Sequence, residues 1–322
     1  MHPAFSVIFL TTLIGTGQGL FLALFSGQLY SAVNLLPAQS SSFYVTGSIL
    51  AMLLLIGGLA ASFFHLGHPE RAWRAASQWR TSWLSREVII LPMVMGLVFI
   101  YGVLHYIGWK PDWFGNGMPN QPALIVGAIA SLAVFALYIA TGMIYASIKF
   151  LQEWACSLTV VNYTLLGAAS GFSLATALAA WLHSGLTAFY GAWAVILTLV
   201  ALVTRSATLY RNARIKYKST VQSAIGMRHN AVVQKSMGMM GGSYNTREYF
   251  HGASAAFFKS VKYIFLLLVF PLPLILLWVG LEITSVQLLG AAFVVQYVGL
   301  LFERWFFFAQ ANHPQNLYYQ TI

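Results

Sequence analysis

The sequence predicts an all-α integral membrane protein with eight transmembrane helices and both termini in the cytoplasm. Of its 322 residues, 59% are hydrophobic and 7% are charged, and the mean hydropathy is +0.73. Soluble domains carry about 25% charged residues, so a water-soluble fold is excluded. The apolar runs suit membrane helices of about 20 residues, whereas barrel strands would be about 10 residues long and alternate in character.

Charge and cysteine content narrow the classes of function. The chain has one cysteine, Cys156, which excludes a disulfide scaffold, a cysteine-ligated zinc site and an iron–sulfur cluster held by this chain. The net charge of +10 would suit nucleic acid, but the basic residues are few and segregated, which is typical of a topology signal. Any redox centre must therefore belong to a partner, and nucleic acid is not expected.

The first two helices lie in an uncharged stretch, because no charged residue precedes Glu70. The turn-rich segment 34–42 separates helices predicted at about residues 5–30 and 43–65. Gly15, Gly17 and Gly19 in the first helix, like the small residues at 167–171, favour close helix packing. The N-terminus lacks the features of a cleaved signal peptide, so the first helix is expected to stay in the mature protein.

Six further helices complete the predicted single membrane domain, 1–322. Ser85 is the predicted N-cap of the third helix. The fifth and sixth are separated at His183–Thr187, and Pro271 and Pro273 predict a kink in the seventh. The predicted ranges are about 88–109, 123–148, 157–183, 187–204, 263–281 and 283–308.

The basic residues predict the orientation. With eight helices, sixteen of the seventeen Lys and Arg residues fall on the side of the two termini, and Lys110 falls on the other. The positive-inside rule weakens for loops approaching about 60 residues, such as 205–262, but without that segment the split is still six to one. Both termini are therefore expected in the cytoplasm. Segment 205–262 is predicted to be a cytoplasmic loop, either solvated beside the lipid headgroups or docked on a partner.

A polar constellation lies between the second and third helices. Residues His65–Arg74 read HLGHPERAWR, and Glu87 follows at the predicted start of the third helix. His65 and Glu87 are expected at neighbouring helix ends, where an imidazole and a carboxyl group can pass protons between water and a lipid-soluble substrate. The alternative is that Glu87 only complements the dipole of the third helix. Arg71 and Arg74 alternate with tryptophans. They can keep this loop on the cytoplasmic side, anchor it at the lipid headgroups or contact an acidic surface of a partner.

Other histidines and charges are weaker candidates. His65 and His68 have a spacing that suits metal binding, but no third ligand is evident, so no metal site is expected. His105 and His183 fall near the outer ends of the third and fifth helices, which leaves haem b as an alternative to interfacial histidines. Glu303 and Arg304 are placed at the cytoplasmic end of the last helix, where they can pair with each other or dock a partner.

The HLGHPERAWR motif, together with SWLSREV at 82–88, resembles the membrane anchor subunits of dimethyl sulfoxide reductase and its relatives, within the polysulfide and nitrite reductase anchor superfamily. The long segment before the seventh helix and the tail from 303 to 319 resemble the branch that serves cytoplasmic sulfite dehydrogenases.

The resemblance implies a haem-free, quinone-binding anchor in the bacterial inner membrane, for a molybdopterin catalytic subunit and an iron–sulfur subunit on the cytoplasmic side. It assigns His65 and Glu87 to the site of a ubiquinone or menaquinone, where they would protonate the quinone. Gln18, Arg71 and Arg74 are placed nearby by geometry rather than by motif. The implied electron flow runs from sulfite oxidation to quinone reduction. The dimethyl sulfoxide reductase works outside the cytoplasm, whereas the basic residues here predict a partner in the cytoplasm, which favours the sulfite-oxidising branch.

Three rival functions stay open on the sequence alone. One is the quinol-oxidising anchor of a dimethyl sulfoxide or polysulfide reductase, and another is a structural anchor with a vestigial quinone pocket. The third is a secondary transporter, which eight helices and a kinked seventh helix would suit. Transporters place ionisable groups near the midplane, whereas all seven acids here are predicted in loops or near helix ends, which argues against transport.

Overall fold

The computed structural model describes residues 4–109, 111–113, 120–216, 221–227, 229 and 255–312, and these form helices without any strand. A 3-10 helix, η1, covers Pro69–Gln78. The α-helices are α1 (Phe5–Ala32), α2 (Ser41–Phe63), α3 (Trp83–Ile107), α4 (Gln121–Ala146), α5 (Ser157–Trp181), α6 (Thr187–Asn212), the short α7 (Val221–Ile225), α8 (Ala255–Val269), α9 (Pro271–Glu282) and α10 (Val286–Ala309).

Eight of these spans are long and apolar enough to cross a membrane, with α8 and α9 together forming the seventh. The predicted number of spans is therefore confirmed. The seventh is interrupted at Phe270, because Pro271 has no N–H and restricts the residue before it. α6 continues beyond the predicted end at residue 204 to Asn212, and it carries Arg205 into the bundle.

The start of α3 differs from the prediction. Ser82, and not Ser85, is the N-cap, since its hydroxyl accepts a hydrogen bond from the Ser85 N–H at 3.4 Å. The helix thus begins at Trp83, and Glu87 lies one turn inside it instead of opening it. The predicted Ser85 cap is wrong because the Ser82 hydroxyl, three positions earlier, already caps the helix.

The centre of the bundle is formed by α1 and α5. About 72% of the apolar window of each is buried, against 28–44% for the other six spans. A Cβ atom at Gly19 would overlap the backbone of Gly167, and one at Gly171 would overlap the backbone of Gly19 and Leu20. The predicted close approach at these small residues is confirmed, and it brings the polar residues of α1 against those of α5.

Because the spans alternate in direction, the starts of α1, α3, α5 and α8 share one side with the ends of α2, α4, α6 and α10. This side, named here the N-terminal side, also carries η1 and the connection from α4 to α5. Lys110 and residues 217–220, 228, 230–254 and 313–322 lie outside the described residues, so most of segment 205–262 and of the predicted tail is not described.

Candidate functional site

A narrow cavity lies on the N-terminal side among α1, α3, α4, α5 and α10. The volume of the cavity is about 20 Å³. That space is about what a single water needs. The polar side chains that line the cavity are Thr11, Thr12, Gln18, Glu87, Tyr138, Thr141, Tyr163, Ser170 and Arg304.

Glu87 presents the carboxyl group of this cavity. Its side chain is 8% exposed, and the Thr141 hydroxyl of α4 donates a hydrogen bond to Glu87 Oε1 at 2.5 Å. A carboxylate that served only the dipole of α3 would sit in the first turn and face water. The dipole interpretation does not account for this burial, whereas an ionisable group inside a membrane bundle is a recognised mark of function.

The α1 wall of the cavity contributes Gln18, which is 2% exposed. Among the described residues its Nε2 atom has no hydrogen-bond partner. The Tyr138 hydroxyl donates to the Gly15 carbonyl at 2.7 Å and so holds α4 against α1. Thr16 and Ser170 join α1 to α5 by a hydroxyl–hydroxyl bond of 3.0 Å. The cavity is therefore built on rigid contacts, with the Gln18 amide left available to a ligand or water.

Sequence reasoning predicted a Glu303–Arg304 pair but missed that Arg205 of α6 joins it in a buried triad. Arg205 Nε lies 2.8 Å from Glu303 Oε1, and Arg304 Nε lies 2.7 Å from Glu303 Oε2. The three side chains are 1%, 1% and 3% exposed. The charge distribution assigns Arg205 and Arg304 to the topology signal, but both lie inside the bundle. The signal in the sequence was that both arginines lie within long apolar runs. A charge buried in a membrane is costly, so a charge in such a run indicates a buried, paired group.

Of the triad, Arg304 is the member that lines the cavity. Its guanidinium carbon also lies 3.8 Å from the centroid of the Tyr163 ring, a cation–π contact. Arg205 instead lies 5.4 Å from the centroid of Phe265. The predicted pairing of Glu303 with Arg304 is confirmed, although the pair is buried and does not offer a docking surface.

The remaining predicted residues do not line this cavity. His65 is exposed and follows the end of α2 at Phe63, while Arg71 and Arg74 are exposed on η1. Desolvation by neighbouring groups lowers the pKa of His65, so its imidazole is neutral at pH 7. The structure thus brings together Glu87 and Gln18, and it places His65, Arg71 and Arg74 on the surface of the same side.

A second polar cluster lies at the opposite end of the bundle. His105 is 2% exposed, its ring centroid lies 4.4 Å from that of Tyr44 and 4.7 Å from that of Tyr101, and Gln28 is buried at this end of α1. His183 is exposed in the turn between α5 and α6. Within the described ranges no group of three or more His, Cys, Asp or Glu residues is placed to hold a metal ion.

Two comparisons with known proteins match all or nearly all of the chain. The family model of the DMSO reductase anchor subunit (DmsC) matches residues 1–319. A sulfite dehydrogenase subunit of Allochromatium vinosum is 58% identical over 324 aligned positions, which cover 100% of both chains.

Proposed function

The chain belongs to the family of DMSO reductase anchor subunits, and from this premise we propose that it is the quinone-binding anchor of a sulfite dehydrogenase complex. In this role it passes electrons from an iron–sulfur partner subunit to a membrane quinone, while a molybdopterin partner oxidises sulfite. The 58% identity to a sulfite dehydrogenase subunit favours sulfite over dimethyl sulfoxide or polysulfide as the partner's substrate.

The observation that carries this proposal is the buried carboxyl group of Glu87 in a polar cavity within the membrane bundle. Reduction of a quinone consumes two electrons and two protons, so its site needs a proton donor within reach of the quinone oxygens. Glu87 can hold a proton on its carboxyl group, with Thr141 fixing one carboxyl oxygen. The single cysteine of the chain supports electron supply from a partner's clusters.

The overall reaction balances without a further reactant. Oxidation of sulfite with water yields sulfate, two electrons and two protons, and the quinone takes up two electrons and two protons to become quinol. Glu87 delivers protons to the quinone oxygens and is reloaded from the N-terminal side. If the partner works on that same side, no net charge crosses the membrane. No haem is expected in this path.

His65 is proposed to return a proton to Glu87 after Glu87 has protonated the quinone. Its imidazole can take up a proton transiently from water, and the lowered pKa makes the protonated form a stronger proton donor. Because His65 does not line the cavity, a relay to Glu87 runs through water, for which the cavity has room for about one molecule. The cavity is narrower than a quinone ring, so the headgroup enters only as the flanking side chains move apart.

The N-terminal side is proposed as the cytoplasmic, partner-facing side. With Arg205 and Arg304 set aside as buried, fourteen Lys and Arg residues are still predicted there, against Lys110 on the other side. Arg71 and Arg74 are exposed together with Trp73 on η1, which suits an acidic face of the iron–sulfur subunit. Electrons would then enter next to the Glu87 cavity.

The test of the proposed function is Glu87→Gln in the intact complex. The amide keeps the size and hydrogen-bonding capacity but cannot deliver a proton, so the quinone-coupled rate should fall by about 10²–10⁴. The rate with a soluble artificial electron acceptor should persist, because the partner's active site is untouched. Both rates are measured on one preparation.

Glu70→Gln is the matched control, since Glu70 is an exposed carboxylate on the same side. An unchanged quinone-coupled rate in Glu87→Gln would place the site elsewhere. Parallel loss of both rates would show that Glu87 supports assembly rather than quinone chemistry.

A further inference from the structure

The buried triad carries an excess positive charge. Two guanidinium groups, those of Arg205 and Arg304, face the single carboxylate of Glu303, and each contacts it through one Nε–O pair. The net charge of the triad is therefore +1 in a part of the bundle where all three side chains are at most 3% exposed. Buried charges are strongly destabilising unless they are paired, and the rings of Tyr163 and Phe265 offset the excess only in part, so this arrangement favours a further negative or electron-rich group nearby.

Arg304 is the member of the triad that lines the cavity. The Nη1 atom of Arg304 is buried and has no hydrogen-bond partner among the described residues, as is the case for Nε2 of Gln18 on the α1 wall. Both residues line the cavity that Glu87 also lines. Buried polar atoms in folded proteins are nearly always hydrogen-bonded, so unpaired donors on two residues that line one cavity indicate a ligand that supplies acceptors.

We propose that Arg304 binds the substrate quinone by donating a charge-assisted hydrogen bond from Nη1 to a quinone carbonyl oxygen. This inference rests on the proposed function, which places a quinone in the Glu87 cavity. Neither composition nor motif identified Arg304 as a ligand-binding residue; the assignment comes from the cavity, the triad and the unpaired donor.

The chemistry of the reduction explains why a cation is useful there. Negative charge accumulates on the quinone oxygens as electrons arrive from the partner's cluster, and Arg304 stabilises that charge. When Glu87 then transfers its proton to a quinone oxygen, it becomes a carboxylate. Arg304, which lines the same cavity, then offers a positive charge near the carboxylate that proton transfer creates.

Arg205 offers a matched control for this proposal. It pairs with the same carboxylate and is equally buried, but it does not line the cavity. Arg304→Gln and Arg205→Gln each reduce the triad to one arginine on one glutamate, so neither variant leaves an unpaired buried charge. Only Arg304→Gln removes the charged donor from the cavity.

The experiment compares the two variants in the purified complex, with decylubiquinone as the soluble probe. Arg304→Gln should raise the KM for decylubiquinone about 10–100-fold, the expected effect of losing a hydrogen bond to a charged group. The complex should also retain less endogenous quinone, measured by extraction and chromatography. Arg205→Gln should change neither value, and dye-coupled sulfite oxidation should persist in both variants.

Equal effects of the two variants on KM, or a normal KM and quinone content in Arg304→Gln, would overturn the proposal. Loss of assembly in Arg304→Gln would assign the residue a structural role and would overturn it as well. The Glu87→Gln variant distinguishes a failure of the Arg304 proposal from a failure of the proposed function. If that variant blocks quinone reduction while Arg304→Gln does not alter KM, the cavity is the quinone site but Arg304 is not its binding group.

Discussion

At the scale of single residues, burial separates two side chains that the motif treats as equivalent. Glu87 is 8% exposed and bonded to Thr141, whereas His65 is exposed beyond the end of α2. A buried donor has no substitute, because bulk water does not reach it freely. An exposed donor competes with water, which can carry the same proton. The two residues are therefore expected to differ in how strongly the reaction depends on them.

His65→Ala should lower the quinone-coupled rate by less than Glu87→Gln does, because water can replace part of an exposed proton relay. The measurement is the steady-state rate with decylubiquinone at pH 7, where the lowered pKa of His65 keeps it neutral. His68→Ala is the matched control, since His68 is exposed in the same connection and its Nδ1 lies 3.0 Å from Glu70. A loss in His65→Ala as large as that in Glu87→Gln would show that His65 acts directly on the quinone.

At the scale of secondary-structure elements, the contact between α1 and α5 positions the site. Gly19 and Gly171 let the two backbones approach without intervening side chains. This approach sets Gln18 of α1 beside Tyr163 and Ser170 of α5, and Thr16 and Ser170 then form the hydroxyl bond that joins the helices. The small residues thus contribute to function indirectly, through the geometry of the cavity wall.

Gly171→Ala should destabilise the bundle, because the added Cβ overlaps the backbone of α1 and neither backbone can move without repacking. Overpacking of this kind costs about 1–3 kcal/mol, which should lower the Tm of the purified complex by several degrees. Gly96→Ala is the control, since a Cβ at Gly96 meets nothing within 4 Å. Equal Tm values for the two variants would contradict the close packing of α1 on α5.

At the scale of the whole molecule, the eight spans place the Glu87 cavity, η1 and the buried triad on one side of the bundle. That arrangement lets one partner surface lie over the Glu87 cavity. The far-side cluster around His105 and Gln28 is separated from Gln18 by the fully buried Leu20, Phe21 and Leu24 of α1. This apolar layer fits proton exchange on the N-terminal side alone.

The distribution of basic residues predicts the orientation of the molecule. Reporters fused after Ile322 and inserted within 230–254 should both report the cytoplasm, because fourteen Lys and Arg residues besides the buried pair are predicted on that side. An alkaline phosphatase fusion should be inactive and a fluorescent protein fusion bright at each site. The reverse pattern at both sites would move the partner subunits to the outside of the membrane.

The sequence by itself determined the number of spans and indicated close packing at the small residues of α1 and α5. Both are local properties, because an uncharged run is long enough to cross a membrane, and a small side chain permits close approach, whatever the rest of the chain does. It also indicated Glu87, through a motif.

Only the tertiary structure decided which polar residues meet. Arg205 lies about a hundred positions before Glu303 and Arg304 but shares one ion-pair triad with them, and Gln18 and Glu87 share one cavity. His65 lies near Glu87 in sequence, yet it is left on the surface because α2 ends at Phe63. Helix periodicity gives the character of each face, whereas the rotation and depth of each helix are set by packing between helices.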